Sequence, residues 1–371
     1  MTLSISRLVG ILFVLLLIIV VLLGLGWFRV YLSGPENVSV WPASVVDTYR
    51  DGDFAQALVN RDSIQIDSSK TEEEKAMAIF NAIGAEYKVT GEISAVLKDI
   101  QDMKVIILNE RLTPVLRAET LDVLAKEYAI TGRNPAVFAE IYKDAPFSNY
   151  LAAGDPELSS RRLAEWSYQI MPSSNAAILV ANWYTTQLLQ YPDLPKSTVD
   201  SYVANATDYL KKADAASVEE ASYAQTYTQS RRYMYYLFYR AVVVGQLSNY
   251  STEFKGQYPA AFDLFLAFAQ AQSNSKNNQI ASEFMLFAHL AYAQQLSRDG
   301  DAAAATAHLD TLAAELNAVS ADQARTNGFF HTMKNERTNN PSGARWTGVV
   351  KMTTLSPLFK SAMESVTGVA I

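Results

Sequence analysis

The sequence predicts an all-α protein: an antiparallel helix-pair α-solenoid preceded by a single transmembrane helix. Three observations carry that expectation. Leu8–Phe28 is a run of 21 residues without a charge, closed by Arg7 and Arg29. Beyond residue 42, apolar residues recur at three- and four-residue spacing in almost every long window, which is the helical period. A pattern of large residue, glycine and alanine also returns at about 40-residue intervals, within the range of stacked helical hairpins. The expected organisation is a short tail over 1–7, the membrane helix over 8–28, a linker over 29–42, the solenoid over 43–336, and an irregular cap over 337–371 ending in a short helix.

At ~1.5 Å per residue the first helix is roughly 31 Å long, enough to cross the hydrocarbon core of a bilayer. A secretory signal has a shorter apolar centre and a small-residue cleavage site. Here the run leads into Trp27, Phe28, Arg29 and Tyr31, side chains that favour the membrane interface. The segment therefore reads as a retained anchor, with the lipid bilayer as its partner. Arg7 and the free amine on one flank, against Glu36, Asp47 and Asp51 on the other, favour a cytoplasmic N-terminus and an extracytoplasmic body. Ser33–Pro42 holds two prolines and a glycine and reads as an extended linker.

Within the body, Thr71-Glu72-Glu73-Glu74 has capping-box form, and Ala76, Ile79, Phe80 and Ile83 follow on one face. The spacing predicts further helices over 92–108, 113–131, 135–143, 156–171, 174–190, 196–213, 217–247, 258–272, 278–298, 301–317 and 320–334. Breaks are expected at Pro146, Pro172, Pro192, Pro195, Gly256 and Gly300. Val105-Ile106-Ile107-Leu108 reads as a strand-like exception, Arg337–Thr354 as irregular, and the chain after Pro357 as a closing helix.

The repeat is carried by Tyr49 before Gly52, Tyr87 before Gly91, Tyr128 before Gly132 and Leu296 before Gly300, followed by Ala57, Ala95, Ala136 and Ala304. In each hairpin the large residue ends the first helix, glycine takes the left-handed cap, and alanine admits close helix contact. Arg50-Asp51-Gly52-Asp53-Phe54-Ala55-Gln56-Ala57-Leu58, and Arg298-Asp299-Gly300-Asp301 with Ala304 and Ala305, resemble the inter-helix turn of tetratricopeptide-like repeats. Tyr87 and Tyr128 fit that family's first-helix aromatic position. The period near 41 departs from the family's 34, and residues 145–255 carry no such motif. The resemblance implies a solenoid whose groove binds protein or peptide, and it implies no catalytic residue.

Composition excludes several chemistries. There is no cysteine, so disulfides, thiolate metal sites and thiol nucleophiles are absent. The net charge is −7, and residues 36–150 hold 19 acids against 12 bases while 151–371 hold 19 against 17. No basic stripe is present to displace counterions, so nucleic acid is not an expected partner. The three histidines, His289, His308 and His331, have no second ligand at zinc spacing, and His289 reads as a satisfied core or groove residue. Ser273-Asn274-Ser275-Lys276 matches a serine–lysine nucleophile motif, but it lacks the partner motif and sits in a polar run that reads as a loop. No glycine-rich phosphate loop occurs, and no cofactor is expected. The carboxylates look solitary, with Glu72–Glu74 reading as first-turn acids.

One constellation stands apart. Tyr223, Tyr227, Arg231, Tyr235 and Tyr239 recur every four residues, with Arg232, Tyr236 and Arg240 one position round. Steps of four rotate by about 40° each, so the stripe winds slowly round its helix. Two readings are open: inter-helix packing with hydroxyls at the solvent edge, or a partner groove, since tyrosine and arginine dominate binding hot spots. The expected partner-binding residues are Tyr223, Tyr227, Arg231, Arg232, Tyr235 and Tyr239. The function expected is a non-enzymatic scaffold or adaptor at the exported face of a cell envelope. The rival is a glycan-directed envelope hydrolase or binding protein, for which a cell-wall glycan would use the same stacking surface.

Overall fold

The computed structural model describes residues 53–131, 134–223, 231–272 and 278–371. The anchor expected over 8–28 lies outside them, as do Gly52, Gly132, Tyr227 and Ser273–Lys276. Among the described residues no helix is long and apolar enough to cross a membrane.

Seventeen α-helices and no strand occur among the described residues. They are α1 (Phe54–Ile66), α2 (Glu72–Ala82), α3 (Ala85–Thr90), α4 (Ile93–Leu108), α5 (Pro114–Thr131) and α6 (Pro135–Tyr142). A 3-10 turn, Phe147–Tyr150, then leads to α7 (Pro156–Ile170), α8 (Ser174–Gln190), α9 (Lys196–Tyr223) and α10 (Arg231–Leu247). The remainder are α11 (Tyr258–Ala271), α12 (Asn278–Arg298), α13 (Ala302–Ala318), α14 (Ala321–Thr326), α15 (Gly328–Asn339), α16 (Ala344–Thr353) and α17 (Pro357–Thr367).

Local chemistry explains most of these boundaries. Thr71 accepts from the Glu74 amide at 3.1 Å, and Glu74 returns the bond at 2.8 Å, completing the expected capping box. The first-turn acids of α2 also reach the next hairpin. Glu73 accepts from the Thr113 amide and hydroxyl, and Glu72 accepts from Asn109. Proline opens α6, α7, α11 and α17, where its missing N–H costs nothing.

Five expectations need correction. Val105–Leu108 lies inside α4, with Ile106 and Ile107 buried and Val105 facing out, so the apolar run marks a helix turning its wide face to the core. The break expected between residues 213 and 217 is absent. No proline or glycine interrupts 196–223, so α9 runs unbroken to Tyr223, and α10 begins at Arg231. The helix expected over 320–334 breaks at Asn327, whose side chain caps the Phe329 amide at 2.9 Å. The stretch read as irregular is largely helical: α15 reaches Asn339, and α16 covers 344–353. Finally, Ala136 is exposed, so it mediates no close helix approach, whereas Ala57 and Ala95 are buried.

Packing follows chain order through most of the body: α4 on α5, α5 on α7, α7 on α8, α8 on α9 and α10, α10 on α11 and α12, and α12 on α13. In an open solenoid each unit would touch only its neighbours. Here the chain returns, because α14 packs on α3 and α15 on α5. One continuous apolar core runs from Phe54 to Val366, with a small satellite of Ala76, Ile106, Leu112 and Leu116 beneath α2.

Candidate functional site

The return is built on the six-residue helix α3. Glycines flank it at 84 and 91, with φ of +79° and +73°, so both ends turn through left-handed backbone that other residues adopt only under strain. The Gly84 amide donates to Asp99 of α4 at 2.8 Å. At the other end the carbonyls left open by helix termination meet a cation from far along the chain. Arg325 donates to the carbonyls of Thr90 at 2.5 Å and Val89 at 3.4 Å. Its guanidinium lies where a Cβ on residue 91 would stand.

Two side chains of α3 reach other residues of the same distant stretch and of α12. Lys88 donates to Glu283 of α12 and to the carbonyl of Thr326, both at 2.9 Å, with little exposure of either charged side chain. Glu283 lies so close to Gly328 that any Cβ there would collide with its carboxylate. His331 donates from Nε2 to the carbonyl of Arg325 at 2.7 Å, which fixes that tautomer. Its Nε2 also lies 3.0 Å from the Tyr87 hydroxyl, whose oxygen is left to accept.

Beside this closure lies a cavity of about 540 Å³. Its walls come from α1 (Phe54), α3 (Tyr87, Lys88), α4 (Ile93, Val96, Asp99, Met103), α6 (Pro135), α10 (Arg231, Tyr235), α12 (Ile280, Glu283, Phe284), α14 (Thr326) and α15 (His331, Lys334, Asn335, Thr338, Asn339). The size suits a small ligand or a short peptide segment, and the lining mixes apolar surface with a few placed polar groups.

The tyrosine–arginine stripe divides between this cavity and the interior, as its slow rotation requires. Arg231 and Tyr235 line the cavity. Arg231 donates to the Tyr235 hydroxyl at 2.7 Å, and the Tyr235 ring meets Phe284 edge-on at 4.9 Å. Arg232 points the other way, into ion pairs with Glu119 of α5 and Glu220 of α9. Burial pulls its pKa down to about 9, which still leaves the guanidinium charged at neutral pH. Tyr239 is half-buried against the core and packs edge-on to Phe238. One position round, Tyr236 and Arg240 both donate to Asp214 of α9. Tyr223 ends α9, and Tyr227 lies outside the described residues.

Behind Tyr235 stands a buried polar network that the carboxylates' solitary look in the sequence did not anticipate. Glu220 accepts from the amide and hydroxyl of Ser174 at the start of α8, at 2.9 and 2.6 Å. Asp122 of α5 accepts weakly from Ser173 and has one oxygen with no partner. Lys126, one turn on, sets its ammonium 4.4 Å from the centre of the Tyr235 ring. Burial pushes the Asp122 carboxyl up and the Lys126 ammonium down, each toward its neutral form. In sequence Glu119, Asp122 and Lys126 look like one solvated helix face. No local signal distinguishes them from exposed charges.

The histidines also meet. His289 and His308 approach Nδ1 to Nδ1 at 3.0 Å across α12 and α13, so one imidazole donates to the other. Burial lowers His289 to about 4 and raises Glu315, 3.8 Å from its other nitrogen, to about 7. Between those values both are neutral, so the approach is not an ion pair. No group of three or more metal-ligating side chains gathers among the described residues.

No family model, curated protein or solved structure matches this chain.

Proposed function

We propose that the protein is a membrane-tethered, non-enzymatic scaffold that holds a protein or peptide segment in the cavity beside α3. In this reading residues 8–28 anchor it, the N-terminus is cytoplasmic, and the helical body stands at the exported face of a cell envelope. The glycine turns at Gly91 and Gly300 and the chain-order packing of α4–α13 support an ancestry in tetratricopeptide-like helix pairs.

The observation that carries the proposal is the convergence of Arg231, Tyr235 and Tyr87 on one concavity of peptide-accommodating size. These residue types concentrate binding energy because they offer rigid, amphipathic contact area. The two carboxylates in the cavity are engaged within the protein, Asp99 by the Gly84 amide and Glu283 by Lys88. That engagement favours holding a ligand over acid–base chemistry on one.

The test compares partners captured by the full membrane-bound chain with those captured by Lys334→Glu and Thr338→Arg variants, both at exposed positions of the cavity wall. Loss of specific partners at an unchanged melting temperature supports the reading. Unchanged capture by both variants removes the cavity from function. Separately, alkaline extraction should leave the protein in the membrane pellet. Its release into the supernatant would refute the anchor.

A further inference from the structure

The chain that precedes the described residues joins them at the cavity. Phe54, the first residue of α1, is a wall residue, and Asp53 before it is exposed. Residues 41–52 are thus covalently attached at the cavity's edge. The turn motif Arg50-Asp51-Gly52-Asp53 reverses the chain in the helical pairs it resembles, which sends the preceding segment back past Phe54. Tyr49 lies five residues before Phe54, within about 18 Å of it even along extended chain.

The segment and the cavity match in chemistry. Phe54 shares the wall with Ile83, Val96, Ile280 and Phe284, all buried, and with Ile93, which keeps 41% of its surface exposed. Residues 41–52 carry Trp41, Val45, Val46 and Tyr49. Val45 and Tyr49 stand four apart, so one helical turn presents both on the same side. Covalent attachment through so short a connection gives an effective concentration on the order of 1 mM. An intrinsic affinity of only about 0.1 mM then fills the cavity in roughly nine molecules of ten.

Resting on the peptide-holding reading above, we propose that the cavity's resting occupant is the chain's own segment 41–52, with Tyr49 seated among Phe54, Val96 and Phe284, and that a partner segment binds by displacing it. Displacement also lengthens the tether. The 12 residues of 41–52 released from the body add about 40 Å of extended reach. Capture of a partner and extension of the body away from the bilayer are then one event.

The experiment uses the full chain in detergent. In its first arm Tyr49→benzoylphenylalanine is irradiated and the crosslinks are mapped by mass spectrometry. The expected products join residue 49 to Val96, Met103 or Phe284 of the same chain. Crosslinks confined to the exposed side of α1, at Val59 or Ile66, or joining two chains, would overturn the proposal. The second arm measures fluorescence anisotropy of a labelled peptide of residues 41–52. The Val45→Ser/Tyr49→Ser chain should bind it about ten-fold tighter than the native chain, because its own segment no longer competes. Adding Thr338→Arg, at an exposed position of the wall, should weaken that binding. Equal binding by the native and doubly substituted chains, lost with Thr338→Arg, would overturn the resting occupant and leave the peptide cavity standing. Binding to neither chain, with no crosslink into the cavity, would overturn both.

Discussion

Replacing Lys88 by methionine tests whether the chain closes on itself in solution as the structure describes. The substitution keeps most of the aliphatic stem and removes the ammonium, which donates both to Glu283 and to the Thr326 carbonyl. The Glu283 side chain is only 8% exposed, so its carboxylate would be left at a desolvated site without that cation. Breaking a buried pair by removing one partner costs about 3–5 kcal/mol. Lys88 retains 16% exposure, which places the expected loss near the lower end, about 3 kcal/mol. Adding Glu283→Gln removes the stranded charge, and the double variant should recover about 2 kcal/mol of that loss. Urea unfolding of the two single variants and the double variant gives the coupling energy directly. Hydrogen exchange adds an independent reading, since the α3 amides should open faster in Lys88→Met than in the native chain. A coupling energy within about 0.5 kcal/mol of zero, with α3 exchange unchanged, would refute the closure.

Arg232→Met should cost about 3–5 kcal/mol in denaturant unfolding, because it strands Glu119 and Glu220 around an apolar stem; a loss below about 1 kcal/mol would mean the network is solvated. Tyr239→Ala should cost about 2 kcal/mol, less than a fully buried aromatic because the ring is half-exposed, and a melting curve like the native one would return Tyr239 to the candidate groove. Burial raises Glu315 from 4.5 to about 7, so its contribution favours the folded state below its unfolded value and is lost as pH rises through about 7. With the side chain 29% exposed the discounted effect is about 1–2 kcal/mol; Glu315→Gln should therefore be the more stable protein at pH about 8, with the gap closing near pH 5, and a pH-independent difference would contradict the burial argument.

What the sequence discloses here is what short-range physics decides. Helices over 93–108, 135–142 and 174–190 follow from apolar period and from caps such as Asn134 and Ser173. Turn chemistry at Gly91 and Gly300 is equally local. Of the boundaries that fall elsewhere, nothing between 196 and 223 halts a helix, whereas Asn327-Gly328 is a local stop, since the Asn327 side chain caps the Phe329 amide. The cavity is not legible, since its walls come from eight helices and its decisive contacts join residues some 195 to 244 positions apart. Arg231 and Tyr235 were singled out, but their division from Arg232 and Tyr239 depends on which neighbours stand on either side of α10.

That division also bears on why charge is buried behind the cavity at all. Desolvating Glu119, Glu220, Asp122, Lys126 and Arg232 adds little net stability compared with a well-packed apolar core. What such a network supplies is register. Rotating α10 by one residue turns its side chains by about 100°. Arg232 would then leave both its carboxylates, Tyr236 and Arg240 would leave Asp214, and Tyr235 would leave the edge of Phe284. An apolar face of similar residues would tolerate that slip, whereas the charge pairs penalise it at three points. The same constraint holds the Tyr235 ring beside the Lys126 ammonium and keeps Tyr235 in the cavity wall. The buried pairs and the cavity wall are thus two faces of one helix, and the first determines which residues the second presents.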